Sequence, residues 1–175
     1  GVMVYARTKQ SAAALSKAVQ EGTMVKEYVA IVHGSPEIRG EMTDFLFKDS
    51  RKNKVFVVQR ERKGVKKARL EFKRIETYSD STSLVHIRLY TGRTHQIRAH
   101  MAYIGHPLVG DGKYGVNRAD RQKGYKHQAL CSYKLRFSFK GEPTALEYLN
   151  GKEFTIDDIW FKDEFYAGTL NKEKN

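Results

Sequence analysis

One cysteine, three prolines and one tryptophan among 175 residues exclude several ways of holding a chain together. Cys131 by itself closes no intrachain disulfide and builds no cysteine zinc site, which needs several thiolates at set spacing. Its expected role is that of a small buried hydrophobe. No run comes near the roughly 18 uninterrupted apolar residues of a membrane span, and Gly1 to Arg7 lacks the layout of a signal peptide. The reading is a soluble, cytoplasmic protein with no membrane partner. Repeats and low-complexity linkers are absent too. Acidic residues are scarce relative to basic ones, 20 against 32, for a net charge of +12. With 40% hydrophobic and 11% aromatic residues a core of ordinary size is within reach, so wholesale disorder is excluded and the length suits one domain.

The positive charge is unevenly spread. Residues 1 to 150 hold 28 basic and 14 acidic side chains, whereas 151 to 175 hold 4 and 6. Between Arg51 and Arg74 eleven basic residues face only Glu61 and Glu71, a local net charge of +9. Such a run is either a solvated face that confers solubility or the footprint of a polyanion. Val55, Phe56, Val57, Val58, Leu70 and Phe72 interleave with the charges, which places them on strands and favours contact with RNA or DNA.

Periodicity organises the rest. Gly1 to Tyr5 reads as a strand, and Lys9 to Gln20 as a helix with Ala12, Leu15, Ala18 and Val19 on one face, capped by Thr8 or Ser11 and stopped at Gly22. Strands are expected at Lys26 to Val32, at Lys54 to Val58 paired with Ala68 to Tyr78 through a basic Arg60 to Lys67 turn, at Ser83 to Tyr90 and at Leu130 to Phe139. Thr94 to Ile104 carries Ile97, Met101 and Ile104 at helical spacing, with Gly105 as its stop, and Ile156 to Tyr166 reads as an amphipathic terminal helix. Strands dominate, which gives an α+β fold: a mixed, largely antiparallel sheet with flanking helices.

The densest polar stretch runs from Thr91 to Gly115. A strand that ends at Gly92 and turns into a helix presents backbone N–H groups beside Arg93, Thr94, His95 and Gln96, a suitable place for phosphate. Arg98, between Ile97 and Met101, has a partly packed stem, and its guanidinium calls for a fixed carboxylate from elsewhere in the fold. His95, His100, His106 and Asp111 suggest a metal. However, residues five apart on a helix differ by about 140° around its axis, which sends His95 and His100 to different faces, so no metal is expected. His100 and His106 are instead expected to cap turns and bond to backbone carbonyls.

Thr91-Gly92-Arg93-Thr94-His95-Gln96-Ile97-Arg98-Ala99-His100-Met101, continued by Gly105-His106-Pro107-Leu108-Val109-Gly110-Asp111 and Tyr114-Gly115, resembles the arginine motif of the RluA-like pseudouridine synthases, which isomerise uridine in ribosomal and transfer RNA. Lys26-Glu27-Tyr28-Val29-Ala30 is similar to that family's tyrosine motif, and His127-Ala129-Leu130 with Leu135-Phe137 to its closing strand. Gly1 to Lys9 is similar to the stretch after the family's aspartate motif, which would put the nucleophilic aspartate five positions before Gly1. The resemblance implies a catalytic domain over 1–139 that lacks its N-terminal part, with 140–175 as a C-terminal extension packed on the same domain. It implies attack on a flipped-out uridine by the aspartate, without metal or organic cofactor. Arg98 would pair with the nucleophile and Tyr28 would line the pocket. Arg60, Lys63, Lys66, Lys67, Arg93, His95 and Gln96 would contact structured RNA, ribosomal or transfer. The intact parent would then be an RNA pseudouridine synthase, and this chain alone inactive. The alternative is a noncatalytic RNA-binding module with the synthase fold.

Overall fold

The computed structural model describes residues 1–115, 117–139 and 145–161. The first regular element is helix α1, Lys9–Gln20, which opens on a capping box: the Thr8 side chain accepts from the Ser11 amide while the Ser11 hydroxyl accepts from the Thr8 amide. Both donations satisfy amides that a helix start leaves without intrahelical partners. Ala18, with Leu15 and Val19, packs that helix against Met24, Leu135 and Phe137.

Seven strands come next: β1 Met24–His33, β2 Arg39–Asp49, β3 Lys54–Val58, β4 Val65–Thr77, β5 Thr82–Leu89, β6 Leu130–Phe137 and β7 Glu153–Thr155. They form one sheet in the order β3-β2-β4-β5-β1-β6-β7, and every neighbouring pair is antiparallel. Helices α2, Gln96–Tyr103, and α3, Asn117–Gln122, lie between β5 and β6 in the chain. Alternation in β1 sorts its side chains between two faces. Ala30 and Val32, with Tyr28 beside them, join Leu70, Val85, Ile87, Ile97, Met101 and Leu108 under α2. On the other face Ile31 packs with Leu84, Val109, Ala129 and Cys131, and Ile159 and Phe161 close over that cluster. Cys131 is buried and free.

Four expectations change. Gly1 to Tyr5 is not a strand. The Val2 amide bonds to the Ser132 carbonyl at 2.7 Å, but β7 takes the neighbouring stretch of the β6 edge from Lys134 to Arg136, and Met3 and Tyr5 project into solvent. Strand β2, which the periodicity does not reveal, inserts between β3 and β4 and pairs with both, so those two are not partners. Gly40 sits inside β2 because a Cβ there would stand 2.5 Å from the Phe72 ring. Residues 156 to 159 are irregular and helix begins only at Trp160, with 162–166 of the expected terminal helix outside the described residues. Among the described residues His100 bonds to no carbonyl, whereas the His106 Nδ1 lies 2.8 Å from the His33 carbonyl oxygen. Among the described residues no helix is long and apolar enough to cross a membrane.

Candidate active site

Helix α2 delivers Arg98, and the loop after it delivers the carboxylate that the guanidinium calls for. Arg98 Nε donates to Asp111 Oδ2 and Nη2 to Asp111 Oδ1, each at 2.7 Å. Asp111 is fully buried, and its Oδ1 also accepts from the amides of Lys113 at 2.9 Å and Tyr114 at 3.1 Å. Burial by itself raises the pKa of this carboxyl; the Arg98 and amide bonds overcome that and hold it below its ordinary range. The same pair raises the pKa of Arg98. Arg98 therefore has a partner within the chain, thirteen positions downstream, and does not depend on a preceding segment for one.

The Asp111 loop is itself fixed. Gly110 has φ of 75°, and a Cβ there would collide with the His127 carbonyl, so the turn takes a residue without a side chain. The Gly110 amide donates to Asp120 Oδ2 at 2.7 Å, and that same buried oxygen lies 3.0 Å from His33 Nε2 on β1. Above the pair, the Tyr114 ring lies 5.2 Å from the Arg98 guanidinium carbon. Its hydroxyl accepts from the Val55 amide at 2.7 Å, which leaves its proton for His95 Nδ1 at 3.1 Å. Burial, then Arg98 and Lys113, lowers the His95 pKa, in keeping with a neutral imidazole that accepts this bond. His95 is held in the left-handed region with φ of 50°, a costly conformation for a residue with a side chain.

Tyr28 is half-buried on the same side of the sheet, against the cluster that contains Ile97 and Met101, the residues flanking Arg98. Burial raises its pKa, partly offset by a hydrogen bond with the Ser132 side chain, so the phenol is protonated at neutral pH. No hydrogen bond or ring contact joins Tyr28 to Arg98 among the described residues. Lys26, two positions earlier on that face, is half-buried with its ammonium near Gly92; desolvation and the Arg93 charge lower its pKa. Sequence reasoning misses Lys26, Asp111 and Tyr114 as site residues. The period-two pattern of β1 puts Lys26 beside Tyr28, and Asp111 and Tyr114 lie within the Thr91 to Gly115 stretch, so the signal for each was present.

Gln96 does not reach outward. It is buried, its Oε1 accepts from the Thr91 hydroxyl at 2.8 Å and the Arg93 amide at 3.0 Å, and its Nε2 donates to the Arg69 carbonyl at 3.1 Å. With its amide so committed, it ties β4 to the β5–α2 loop instead of facing solvent. Arg60, Lys63, Lys66 and Lys67 are exposed, as are Arg93 and Thr94. Since β2 separates β3 from β4, residues 59–64 are not a hairpin turn; they pass across β2, where Arg62 lies 5.2 Å from the Phe47 ring centre. Arg93 Nε donates to the Lys67 carbonyl at 2.9 Å, which joins this basic segment to the loop before α2. Between them opens a cavity of about 150 Å³ with Leu46 and Val55 as floor and Lys48, Lys66, Arg93 and Thr94 around it. Among the described residues no group of three His, Cys, Asp or Glu could hold a metal.

Residues 1–103 match the family described as RNA pseudouridylate synthase. Ribosomal large subunit pseudouridine synthase D of Vibrio parahaemolyticus is 32% identical over 158 residues, 85% of this chain and 47% of that protein. Ribosomal large subunit pseudouridine synthase C of Buchnera aphidicola subsp. Schizaphis graminum is 37% identical, with 97% of this chain and 53% of that protein covered. Among solved structures, human RNA Pseudouridylate Synthase Domain Containing 1 superposes with a TM-score of 0.66 at 25% identity, over 87% of this chain and 62% of its own. Human RNA Pseudouridylate Synthase Domain Containing 4 shares the fold, with a TM-score of 0.72 at 21% identity over 97% and 71%. The chain spans about half the length of these curated relatives.

Proposed function

We propose, because the chain belongs to the RNA pseudouridylate synthase family, that the protein containing it isomerises specific uridines to pseudouridine in structured RNA, ribosomal or transfer. The single observation that carries the reading is the family match over residues 1–103, which spans both Tyr28 and Arg98. The reaction changes no oxidation state. The bond from the ribose to the uracil nitrogen breaks, a bond from the ribose to a uracil carbon forms, that carbon loses a proton and the nitrogen gains one. An aspartate on a segment before Gly1 supplies the nucleophile, and Arg98 pairs with it. Forming a covalent intermediate splits one hard step into two easier ones.

Tyr28 lines the pocket. Its ring offers a stacking surface for the flipped base, and its hydroxyl stands near the carbon that loses its proton. Arg60, Lys63, Lys66, Lys67 and Arg93 hold phosphates, with His95 positioned between them and the Arg98 site. Support for this division comes from exposure: the first five face solvent, whereas Arg98 is enclosed.

The test is to incubate the chain, and a version extended upstream through an aspartate motif, with unmodified ribosomal and transfer RNA and to map pseudouridine by mass. The extended protein should make it and the short chain should not. Pseudouridine from the short chain would mean that one of its own carboxylates is the nucleophile. Silence from both would favour a noncatalytic RNA-binding module.

A further inference from the structure

We propose that Asp111 is a positioning residue, which grips Arg98 by Nε and Nη2 so that the opposite edge of the guanidinium, through Nη1, is held ready for the nucleophilic carboxylate. This role rests on the proposed function. A guanidinium is a rigid plane with five N–H donors, and its Nε/Nη2 side and its Nη1/Nη2 side can each receive a carboxylate. Asp111 occupies the first side, with both oxygens at 2.7 Å. No hydrogen bond from Nη1 is made among the described residues, although the Arg98 side chain is only 14% exposed. A buried guanidinium with one edge filled and the other open is suited to accept a second acid.

What makes Asp111 more than a counterion is its own rigidity. It is fully buried and receives four hydrogen bonds, two from Arg98 and two from backbone amides. The glycine turn before it and the Asp120 bond to Gly110 leave the loop little freedom. Tyr114 covers one face of the guanidinium and is anchored in turn by the Val55 amide. Arg98 is therefore fixed in its plane by Asp111 and across its plane by Tyr114. Two of the four bonds to Asp111 come from the chain just beyond it, so the loop that carries the carboxylate also sets its orientation.

The atoms suggest a sparing variant. Three of the four donors, the amides of Lys113 and Tyr114 and Arg98 Nη2, converge on Oδ1 of Asp111, and only Arg98 Nε uses Oδ2. Asp111→Asn with its carbonyl at the Oδ1 position keeps the volume and the two backbone-amide bonds, and sets an N–H against the Arg98 Nε–H. That change displaces the guanidinium while leaving the loop in place.

In the full-length protein, Asp111→Asn should melt as a folded protein and bind RNA within about two-fold of the unmodified enzyme, while its single-turnover rate falls on the order of 100-fold, the scale of a 1 Å misplacement. Arg98→Lys, which keeps charge but loses the second edge, should lose a similar amount, and the two changes together should cost little more than either alone. It also serves as the test if Asp111→Asn does not fold. Loss of binding in step with rate, multiplying losses in the double variant, or near-normal turnover in either single variant would overturn the role of Asp111. Absence of pseudouridine from the unmodified full-length protein would overturn the proposed function itself, and this inference with it; activity there with Asp111→Asn unimpaired would overturn this inference alone.

Discussion

Arg98 and the segment from Arg51 to Arg74 both carry positive charge, yet the structure treats them in opposite ways. Arg98 is enclosed, doubly bonded to a buried carboxylate and covered by a ring. Most of the basic side chains of the segment project into solvent, with Arg69 paired to Glu41 at 2.7 Å as an exposed exception. Desolvating a charge is costly unless it is paired, so an enclosed cation is committed to one geometry, whereas exposed ones keep their freedom to follow a flexible polyanion. One arrangement suits orientation of a reacting group, the other recruitment.

The largest effect should come from the enclosed charge. Arg98→Ala leaves Asp111 buried without its cation, and breaking such a pair costs about 3–5 kcal/mol. Urea unfolding of this chain measures that loss. In the extended protein, pseudouridine formation should drop by orders of magnitude while RNA affinity stays within a few-fold. An equal fall in affinity would erase the division between the two regions.

Tyr28→Phe probes the boundary between them, since it keeps the ring and its stacking, worth roughly 1–3 kcal/mol per base, but removes the hydroxyl. Turnover should collapse while a covalent adduct between enzyme and RNA can still form on a denaturing gel. Parallel loss of binding and turnover would assign Tyr28 to packing instead.

Neutralising Arg60, Lys63 and Lys66 together should leave the unfolding midpoint almost unmoved, since exposed substitutions usually change stability by about 0.5 kcal/mol or less. The salt dependence of RNA binding should flatten, by about 0.7 in log-log slope for each single-strand phosphate that is no longer neutralised. An unchanged slope would reduce the segment to a solvated face.

The smallest effect concerns His100, fully buried with neither ring nitrogen hydrogen-bonded among the described residues, and Asp44 Oδ2 3.6 Å from its Nε2. Burial, opposed in part by Asp44, lowers its pKa. The unfolded chain then takes up a proton first, from about pH 6.5 downward. The contribution of His100 is complete above that value and is lost as pH falls toward its folded pKa. His100→Leu should flatten the acid side of the stability profile over that window.

How far the sequence disclosed all this depended on whether its signals were local. The α1 bounds, Lys9–Gln20, follow from one apolar face and a cap, and β3 from the four-residue apolar run Val55 to Val58 after Lys54. Strand β2 was hidden because Gly40, Glu41, Thr43 and Asp44 dilute its apolar residues, and what holds it is pairing with strands on both sides. That one omission made neighbours of β3 and β4. The need of Arg98 for a carboxylate was legible from its place between Ile97 and Met101, whereas the identity of that carboxylate depended on how the loop after α2 returns to the helix. In sequence an amide beside arginine and histidine looks like a ligand contact, and only the fold reveals the three internal partners of Gln96.

The hydrogen bond from the Val55 amide to the Tyr114 hydroxyl closes part of the outer rim of β3, the terminal strand of the sheet. A side chain standing where another strand could add interrupts the row of free amides that would template further pairing. It also makes one backbone proton a reporter. Deuterium exchange at Val55 requires the Tyr114 hydroxyl to let go, and the Tyr114 ring rests on Arg98, so the rate at this strand rim reads out how firmly the guanidinium is seated.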